Sequence, residues 1–270
     1  MDTRANHRSI IRRIPFSMLF AICTMSLPWS EGVAAVPGTE TVQTVWMARY
    51  NGPGYGADWA YAIVADSAGN VFVTGSSWSN SSEDYATVKY DGATGNQLWV
   101  ARYNGPGNGQ DVAKAIVVDG ASNVYVTGYS RGSGGGFDYA TIKYDGATGN
   151  QVWVARYNGP ANSDDMALAL RLDSAGNVFV TGASRDSAGQ DDYATVKYDG
   201  ATGNQMWVAR YNGPANDRDR AFALAVDSAG NVFVTGWSRG VDSDMDYATV
   251  KYDGATGNQL WVAPVCANVR

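Results

Sequence analysis

The sequence is poor in the residue types that most often carry catalytic and metal-binding chemistry. Its 270 residues include 1 histidine, His7, and 2 cysteines, Cys23 and Cys266. His7 and Cys23 both lie in an N-terminal segment that we expect to be removed. Without histidine, neither a Ser-His-Asp nor a Cys-His arrangement can be built, and zinc, iron and copper sites lack their usual ligands. With one cysteine left, an internal disulfide is excluded as well.

Residues 1–35 have the organisation of a signal peptide. Four arginines precede an apolar stretch at residues 14–27, and small residues follow at 32–35. We therefore predict a signal peptide over 1–35, a linker over 36–45, and a protein that is secreted or held at the cell surface or in the periplasm. A lipid anchor on Cys23 is the alternative, although Ile22 is bulky for that position. No other apolar run approaches the roughly 20 residues that a membrane-spanning helix needs.

Positive charge is also scarce. Beyond residue 35 the chain has 16 basic and 24 acidic residues. Nucleic-acid binding requires a basic surface that can neutralise phosphates. The charge balance therefore argues against a nucleic-acid partner.

The sequence repeats itself from residue 46 to about residue 262. Five tryptophans recur at intervals of 53 or 54 residues: Trp46, Trp99, Trp153, Trp207 and Trp261. After one intervening residue, each of the first four is followed by the segment A-R-Y-N-G-P. The segment D-Y-A-T-[VI]-K-Y-D-G-A-T-G-N-Q occurs four times at the same spacing. This period is typical of repeat architectures.

Each repeat divides into four short runs of β-branched and aromatic residues, separated by turns rich in glycine and aspartate. This pattern predicts an all-β protein, a β-propeller of four-stranded antiparallel blades. The propeller domain covers residues 46–263, with blades at about 58–103, 111–157, 165–211 and 219–262. Residues 46–51 are expected to form a spare outer strand, and residues 264–270 a tail outside the repeat.

Four blades form either a minimal ring or an open arc of a larger propeller. The repeat breaks off at Pro264, which favours a truncated array. An open arc leaves two apolar blade faces uncovered, and soluble monomers rarely expose such patches. We therefore expect self-association through these faces unless the four blades close on themselves.

One turn departs from the pattern of the others. Gly69, Gly176 and Gly230 occupy the same position in the D-S-A-G-N turn, but the second repeat has Ser122 there. Since the glycine is expected to adopt a positive φ, we expect Ser122 in the left-handed conformation; the alternative is a turn rebuilt around Gly120.

Two family resemblances follow from these motifs. The segment D-G-A-T-G-N-Q-L-W, which ends at Trp99, resembles the tryptophan-docking motif of quinoprotein (PQQ-like) propellers. The repeat core D-S-A-G-N-V-F-V-T-G resembles the SBBP-type bacterial β-propeller repeat even more closely. The first resemblance implies that four indoles pack against an adjacent blade, those of Trp99, Trp153, Trp207 and Trp261. It also suggests an oxidoreductase, but the vicinal cysteines and the distinct active blade of that family are missing.

Acidic residues offer two further kinds of site. Asp242, Asp244 and Asp246 have the spacing that opens a calcium loop, without the glycine and glutamate of an EF-hand. Calcium is therefore the one cofactor the sequence allows, and solvated aspartates are the alternative. A glycosidase needs two carboxylates in different environments. Beyond residue 35 the only glutamates are Glu40 and Glu83, and most aspartates recur in every repeat, as turn residues do.

The repeats differ mainly between their second and third runs and in the linkers between repeats. In a blade of alternating strands both regions lie at the same end. Aromatic and arginine side chains there are candidate ligand-binding residues: Trp78, Tyr129, Arg131, Arg185, Trp237 and Arg239. The sequence favours an exported, non-catalytic interaction or scaffold module for an unknown protein or glycan. A carbohydrate-active hydrolase or a quinoprotein-like oxidoreductase remnant is the alternative, and neutral variation of exposed loops is the simpler explanation.

Overall fold

The computed structural model describes residues 43–79, 81–241 and 244–263. The expected signal peptide, most of the expected linker and the tail lie outside these residues. The described residues form no helix, and therefore none that could cross a membrane. They form 16 strands in four antiparallel sheets of four strands each. This is the predicted all-β fold of propeller blades, and the four sheets do not close into a ring.

The strands follow one another in chain order within each sheet. Blade 1 contains β1 (Asp58–Ala65), β2 (Val71–Trp78), β3 (Glu83–Tyr90) and β4 (Gln97–Tyr103); blade 2 contains β5 (Asp111–Val118), β6 (Val124–Arg131), β7 (Phe137–Tyr144) and β8 (Gln151–Tyr157). Blade 3 contains β9 (Asp165–Leu172), β10 (Val178–Arg185), β11 (Asp191–Tyr198) and β12 (Gln205–Tyr211); blade 4 contains β13 (Asp219–Val226), β14 (Val232–Arg239), β15 (Met245–Tyr252) and β16 (Gln259–Val262).

Two features set the register of every blade. A threonine of the second strand faces a threonine of the third, and their hydroxyls hydrogen-bond, as between Thr74 and Thr87 at 2.9 Å. In the first strand one residue has no partner across the ladder, which makes a β-bulge; the bulged residues are Tyr61, Lys114, Leu168 and Phe222. The first strands β1, β5, β9 and β13 contact one another in turn and are the innermost strands of the array.

Neighbouring blades pack an aromatic face against an aliphatic face. At the first boundary Phe72, Tyr85 and Trp99 of blade 1 pack against Val124, Val126 and Ile142 of blade 2. The next two boundaries bury the equivalent residues. Most of the apolar core therefore lies between sheets, so that the stability of each blade depends on its neighbours.

The tryptophans make the same cross-blade contact at each boundary. The indole Nε1 atoms donate to glycine carbonyls of the next blade, Trp99 to Gly146 at 3.1 Å, Trp153 to Gly200 at 3.2 Å and Trp207 to Gly254 at 3.1 Å. The expectation fails for Trp261. Its indole is 42% exposed because no blade follows blade 4 in the described residues. Its contact with Phe233 of its own blade is the one that Trp99 also makes with Phe72.

The expected spare strand at residues 46–51 requires a similar correction. This segment is not a β-strand, because none of the described strands lies beside it to share a hydrogen-bonded ladder. It nevertheless docks on blade 1 as an outer strand does, since Trp46 Nε1 donates to the carbonyl of Gly92 at 2.8 Å. We call residues 46–52 the leading segment.

The turn prediction for Ser122 is confirmed. Ser122 has a φ of 63°, beside 83° for Gly69 and 82° for Gly176 and Gly230. The turn keeps its shape because Asp119 accepts hydrogen bonds from the amides of Ala121 and Asn123. Asp66 does the same in the first repeat. The serine therefore takes up the backbone strain that glycine avoids.

Candidate functional site

The varied residues lie at one end of the blades, which we call the variable end. It holds the connections from the second to the third strand and the linkers between blades. The uniform hairpins, such as residues 66–70 and 91–96, lie at the other end, which we call the hairpin end. The two hairpins of a blade are in close backbone contact there: a Cβ atom on Gly92 would overlap the carbonyl oxygen of Gly69.

A buried aspartate fixes the backbone at the variable end of blades 2, 3 and 4. In blade 2, Asp111 accepts hydrogen bonds from the amides of Gly105, at 2.7 Å, and Arg131, at 3.0 Å. This ties the incoming linker to the end of β6. Burial raises the pKa of Asp111 and of its equivalents Asp165 and Asp219. Sequence reasoning missed this role, although the aspartate always stands six residues after the glycine of N-G-P.

An arginine of the outer strand reinforces the same end. Arg156 donates to Ser130 Oγ at 2.7 Å, to Tyr103 Oη at 2.8 Å and to Asp138 at 2.8 Å. Arg102 and Arg210 make equivalent contacts in blades 1 and 3. These hydrogen bonds join the second, third and fourth strands of a blade to the outer strand before it. They hold the variable end rigid while its exposed residues differ.

Aromatic rings gather around one lysine between blades 1 and 2. Lys114 Nζ lies 3.7 Å from the ring centroid of Tyr61 and 5.6 Å from that of Tyr129. Burial lowers the pKa of Lys114, and the nearby carboxylate of Glu83 opposes that shift. Tyr129 is half-buried, and burial raises the pKa of its hydroxyl. Its ring also meets Phe137 edge-on at 5.1 Å.

Trp78 and the three predicted arginines hold one shared position, the last residue of the second strand in each blade. Trp78 is 39% exposed and covers the turn at Gly54 and Gly56. Arg131 instead lies over the ring of Phe137, 4.7 Å from its centroid. The third and fourth blades have Arg185 and Arg239 there.

Ion pairs replace aromatic rings between blades 3 and 4. Arg185 contacts Asp164 at 3.2 Å and Asp191 at 3.3 Å. Arg220 of blade 4 reaches Asp191 at 2.7 Å, which makes the cluster continuous across the boundary. Arg239 is more exposed and lies 3.5 Å from Asp217.

Trp237 is the last of the predicted binding residues. It is half-buried in β14, and its ring centroid lies 6.4 Å from that of the bulged Phe222. The predicted residues thus form two groups, an aromatic one on blades 1 and 2 and a largely ionic one on blades 3 and 4.

The structure leaves the calcium prediction open. Asp242 lies outside the described residues, and Asp244 is exposed. Within the part of the chain that is described, no three histidine, cysteine, aspartate or glutamate side chains are grouped as a metal site would require. Calcium at residues 242–246 therefore stays a prediction.

Comparison with protein families agrees with the repeat. The β-propeller repeat family SBBP matches residues 45–81 and 98–136, and the family described as outer membrane protein assembly factor BamB matches residues 138–270. A comparison with curated protein sequences gives no significant match.

Solved structures with a similar fold include the quinohemoprotein alcohol dehydrogenase from Comamonas testosteroni, at 18% identity and a TM-score of 0.50 over 77% of this chain and 36% of that protein. An α-L-arabinofuranosidase from Clostridium thermocellum has 18% identity and a TM-score of 0.44 over 77% of this chain and 72% of that one. BamB from Moraxella catarrhalis has 14% identity and a TM-score of 0.32 over 75% and 63%.

At these identities the likeness concerns the fold alone. The chain spans about a third of the length of the dehydrogenase. The chain contains SBBP-type β-propeller repeats over residues 45–81 and 98–136, and residues 138–270 match a PQQ-type propeller family.

Proposed function

We propose that this chain is an exported, non-catalytic binding module that recognises a protein partner with its variable end. The observation that carries the proposal is the contrast between the two ends of the blades. The hairpin end repeats nearly the same residues in every blade. The variable end presents different side chains on a backbone that the repeated aspartate and arginine contacts hold in one shape.

The chemistry of the variable end suits a protein surface. Trp78 is 39% exposed, and the side chain of Arg239 is 47% exposed. Tryptophan, tyrosine and arginine are enriched among the residues that dominate protein–protein binding energy. The ion pairs of Arg185 and Arg220 place both charge signs close together, so a partner with mixed charges would be matched.

The environment of the carboxylates supports a binding role over catalysis. Asp84, Asp138 and Asp192 each pair with an arginine of their own blade, and Asp191 pairs with two. The buried Asp111 accepts backbone amides. Apart from Asp191, these carboxylates maintain structure in repeated positions, whereas a glycosidase requires two carboxylates with different roles.

The family comparison adds modest support. The family matched by residues 138–270 is described as an outer membrane protein assembly factor, which agrees with a role in contacts with other proteins. Exposed aromatic rings can also stack on sugar rings, so glycan binding is an outcome that the test must distinguish.

The test compares capture of proteins by three forms of the chain. The first is wild type, and the second combines Trp78→Ala, Arg131→Ala, Arg185→Ala and Trp237→Ala. The third is a matched control that replaces four exposed outer-strand residues near the hairpin end, Leu98→Ala, Val152→Ala, Met206→Ala and Leu260→Ala. Each purified partner is then titrated against all three forms, and the same forms are applied to a glycan array.

We expect a partner that binds wild type and the control equally and loses at least about tenfold in affinity for the variable-end variant. Thermal melting must show that the variant remains folded. Equal affinity for all three forms contradicts the proposal. Binding that appears only on the glycan array, and is lost in the variable-end variant, would replace the protein partner with a glycan.

A further inference from the structure

The aromatic face of blade 4 is uncovered. At the three internal boundaries the equivalent tyrosines are fully buried, and their hydroxyls donate at 3.1 Å to alanine carbonyls of the next blade; the pairs are Tyr85 with Ala140, Tyr139 with Ala194 and Tyr193 with Ala248. Tyr247 holds this position in blade 4 and is 90% exposed. No part of the described chain covers it.

The aliphatic face of blade 1 is uncovered in the complementary way. Ile63 is 70% exposed, whereas its equivalents Leu170 and Leu224 are 1% and 4% exposed. A cavity of about 320 Å³ lies on this face, between β1–β3 and the leading segment; its lining includes Trp46, Tyr50, Ile63, Val71, Val73 and Tyr90. At the internal boundaries, aromatic rings of the preceding blade occupy the corresponding space.

The two uncovered faces are the two halves of one further boundary. Blade 4 has the aromatic residues Phe233 and Tyr247, which correspond to Phe72 and Tyr85. Blade 1 has Val71 and Val73, which correspond to Val124 and Val126. Because the chain packs these two kinds of face together three times, a second copy of the same chain supplies the matching surface for each end.

The leading segment already holds the place of an outer strand at this boundary. Besides the bond from Trp46 to Gly92, Tyr50 Oη accepts a hydrogen bond from Arg102 at 3.0 Å, as Tyr103 does from Arg156. The amide of Gly52 donates to Asp58 at 3.0 Å. The segment lacks only the third strand with which an outer strand forms its ladder.

Blade 4 has its first three strands but only a short outer strand. Its outer strand β16 has 4 residues, whereas β4, β8 and β12 have 7 each. Pro264 stands where those strands have the arginine that binds the serine of the second strand. Ser77 and Ser130 accept this bond at 2.6 and 2.7 Å. Ser238 is fully buried, and no arginine of the described residues donates to its hydroxyl.

We propose that two copies of the chain associate head to tail, with the leading segment of each copy replacing β16 as the outer strand of blade 4 in the other. Arg49, which is exposed in the single chain, then lies beside Ser238 of the other copy. Two arcs of four blades make eight, the upper end of the usual four to eight. A head-to-tail contact that closes gives a ring rather than a filament, so a closed dimer is expected. This inference does not rest on the proposed function.

The first test measures mass by light scattering at micromolar concentration for wild type and two variants. Tyr247→Arg places a charge on the open aromatic face, where the exposed side chain leaves the single chain free to fold. Tyr55→Arg is the matched control, because Tyr55 is fully exposed and lies outside both faces. We expect dimers for wild type and Tyr55→Arg, and a monomer for Tyr247→Arg. A monomeric wild type, a growing polymer or a dimeric Tyr247→Arg overturns the proposal.

The second test detects the exchange of outer strands. A photoreactive amino acid replaces the exposed Met47, and ¹⁴N-labelled and ¹⁵N-labelled chains are mixed before irradiation. We expect cross-links from position 47 to β15 that join light to heavy chains. Cross-links confined to single chains, or cross-chain links from position 47 to residues outside blade 4, overturn the exchange.

The third test examines Arg49. Arg49→Ala should raise the dimer dissociation constant about tenfold, because a charged hydrogen bond to Ser238 is lost. Arg218→Ala is the control, since Arg218 is also exposed but lies away from the open faces. An unchanged dissociation constant for Arg49→Ala contradicts the assigned contact.

Discussion

The indole Nε1 of Trp153 donates a hydrogen bond of 3.2 Å to the carbonyl oxygen of Gly200, which lies in the next blade. Lys143 Nζ donates to the same oxygen at 2.9 Å. Gly203, with a φ of 76°, lets the indole lie flat against the hairpin, since a Cβ there would come within 2.8 Å of the ring. The D-G-A-T-G hairpin of one blade and the tryptophan of the preceding blade thus form one contact between blades.

Replacing Trp153 should therefore weaken the fold strongly. We expect Trp153→Ala to lower the free energy of unfolding by about 3–5 kcal/mol, because it empties an aromatic site in the core. Trp261→Ala is the matched control and should cost no more than about 1.5 kcal/mol, since its indole is half exposed and undocked. Urea titration measures both, and similar costs for the two variants would contradict the docking account.

The unusual turn at Ser122 predicts a stabilising substitution. Ser122→Gly should raise the free energy of unfolding by about 1 kcal/mol, because glycine adopts a positive φ without the strain that an L side chain incurs. The reciprocal change Gly176→Ser should lower it by a similar amount at a φ of 82°. A lower melting temperature for Ser122→Gly would show that the turn does not strain the serine.

The outer-strand arginines should be hard to replace. Arg156→Lys keeps the charge but cannot reach Ser130, Tyr103 and Asp138 together, so we expect a loss of about 1–3 kcal/mol. Arg239→Lys is the control, because an exposed ion pair contributes about 0–1 kcal/mol. Chemical unfolding of both variants decides the matter, and equal stability for Arg156→Lys and wild type would refute the structural role of Arg156.

Two aspartates should show opposite pH dependence. Burial raises the pKa of Asp165 above 3.8, whereas hydrogen bonds from Thr94 lower that of Asp91 below 3.8. As the pH rises through this region, unfolded Asp165 ionises before the folded form, so its contribution to stability falls. Asp91 ionises first in the folded state, so its contribution rises.

The measurement is the free energy of unfolding of wild type, Asp165→Asn and Asp91→Asn from about pH 3 to pH 7. The advantage of wild type over Asp165→Asn should shrink with rising pH, and its advantage over Asp91→Asn should grow. The same slope for both variants would show that the two carboxylates share one kind of environment.

Much of the fold follows from local sequence signals that repeat four times. The strand boundaries, the uniform hairpins and the positive φ of Ser122 depend on short-range backbone chemistry, which each repeat displays again. The exposure of Trp261 could not be predicted in this way. Its motif is complete, but docking depends on whether a further blade follows.

The candidate site was harder to predict, because it depends on contacts between distant residues. The sequence placed Arg185 at the edge of a region that varies among the repeats, but its pairing with Asp191, and that of Asp191 with Arg220, requires two blades in their final positions. The approach of Lys114 to Tyr61 likewise depends on bulges in two neighbouring inner strands. The sequence predicted residues 46–51 as an outer strand, but only the structure shows that they dock on blade 1 without a strand ladder.

Amide hydrogen exchange tests most directly the central claim, that each blade is stabilised by its neighbours in an arc with open ends. The measurement uses the Tyr247→Arg chain, in which the aromatic face of blade 4 stays uncovered. We predict that the amides of β15 exchange faster than those of β7 and β11, whose aromatic faces are buried. Equal protection of all three strands would mean that blade 4 is covered within the single chain, and would contradict the open arc.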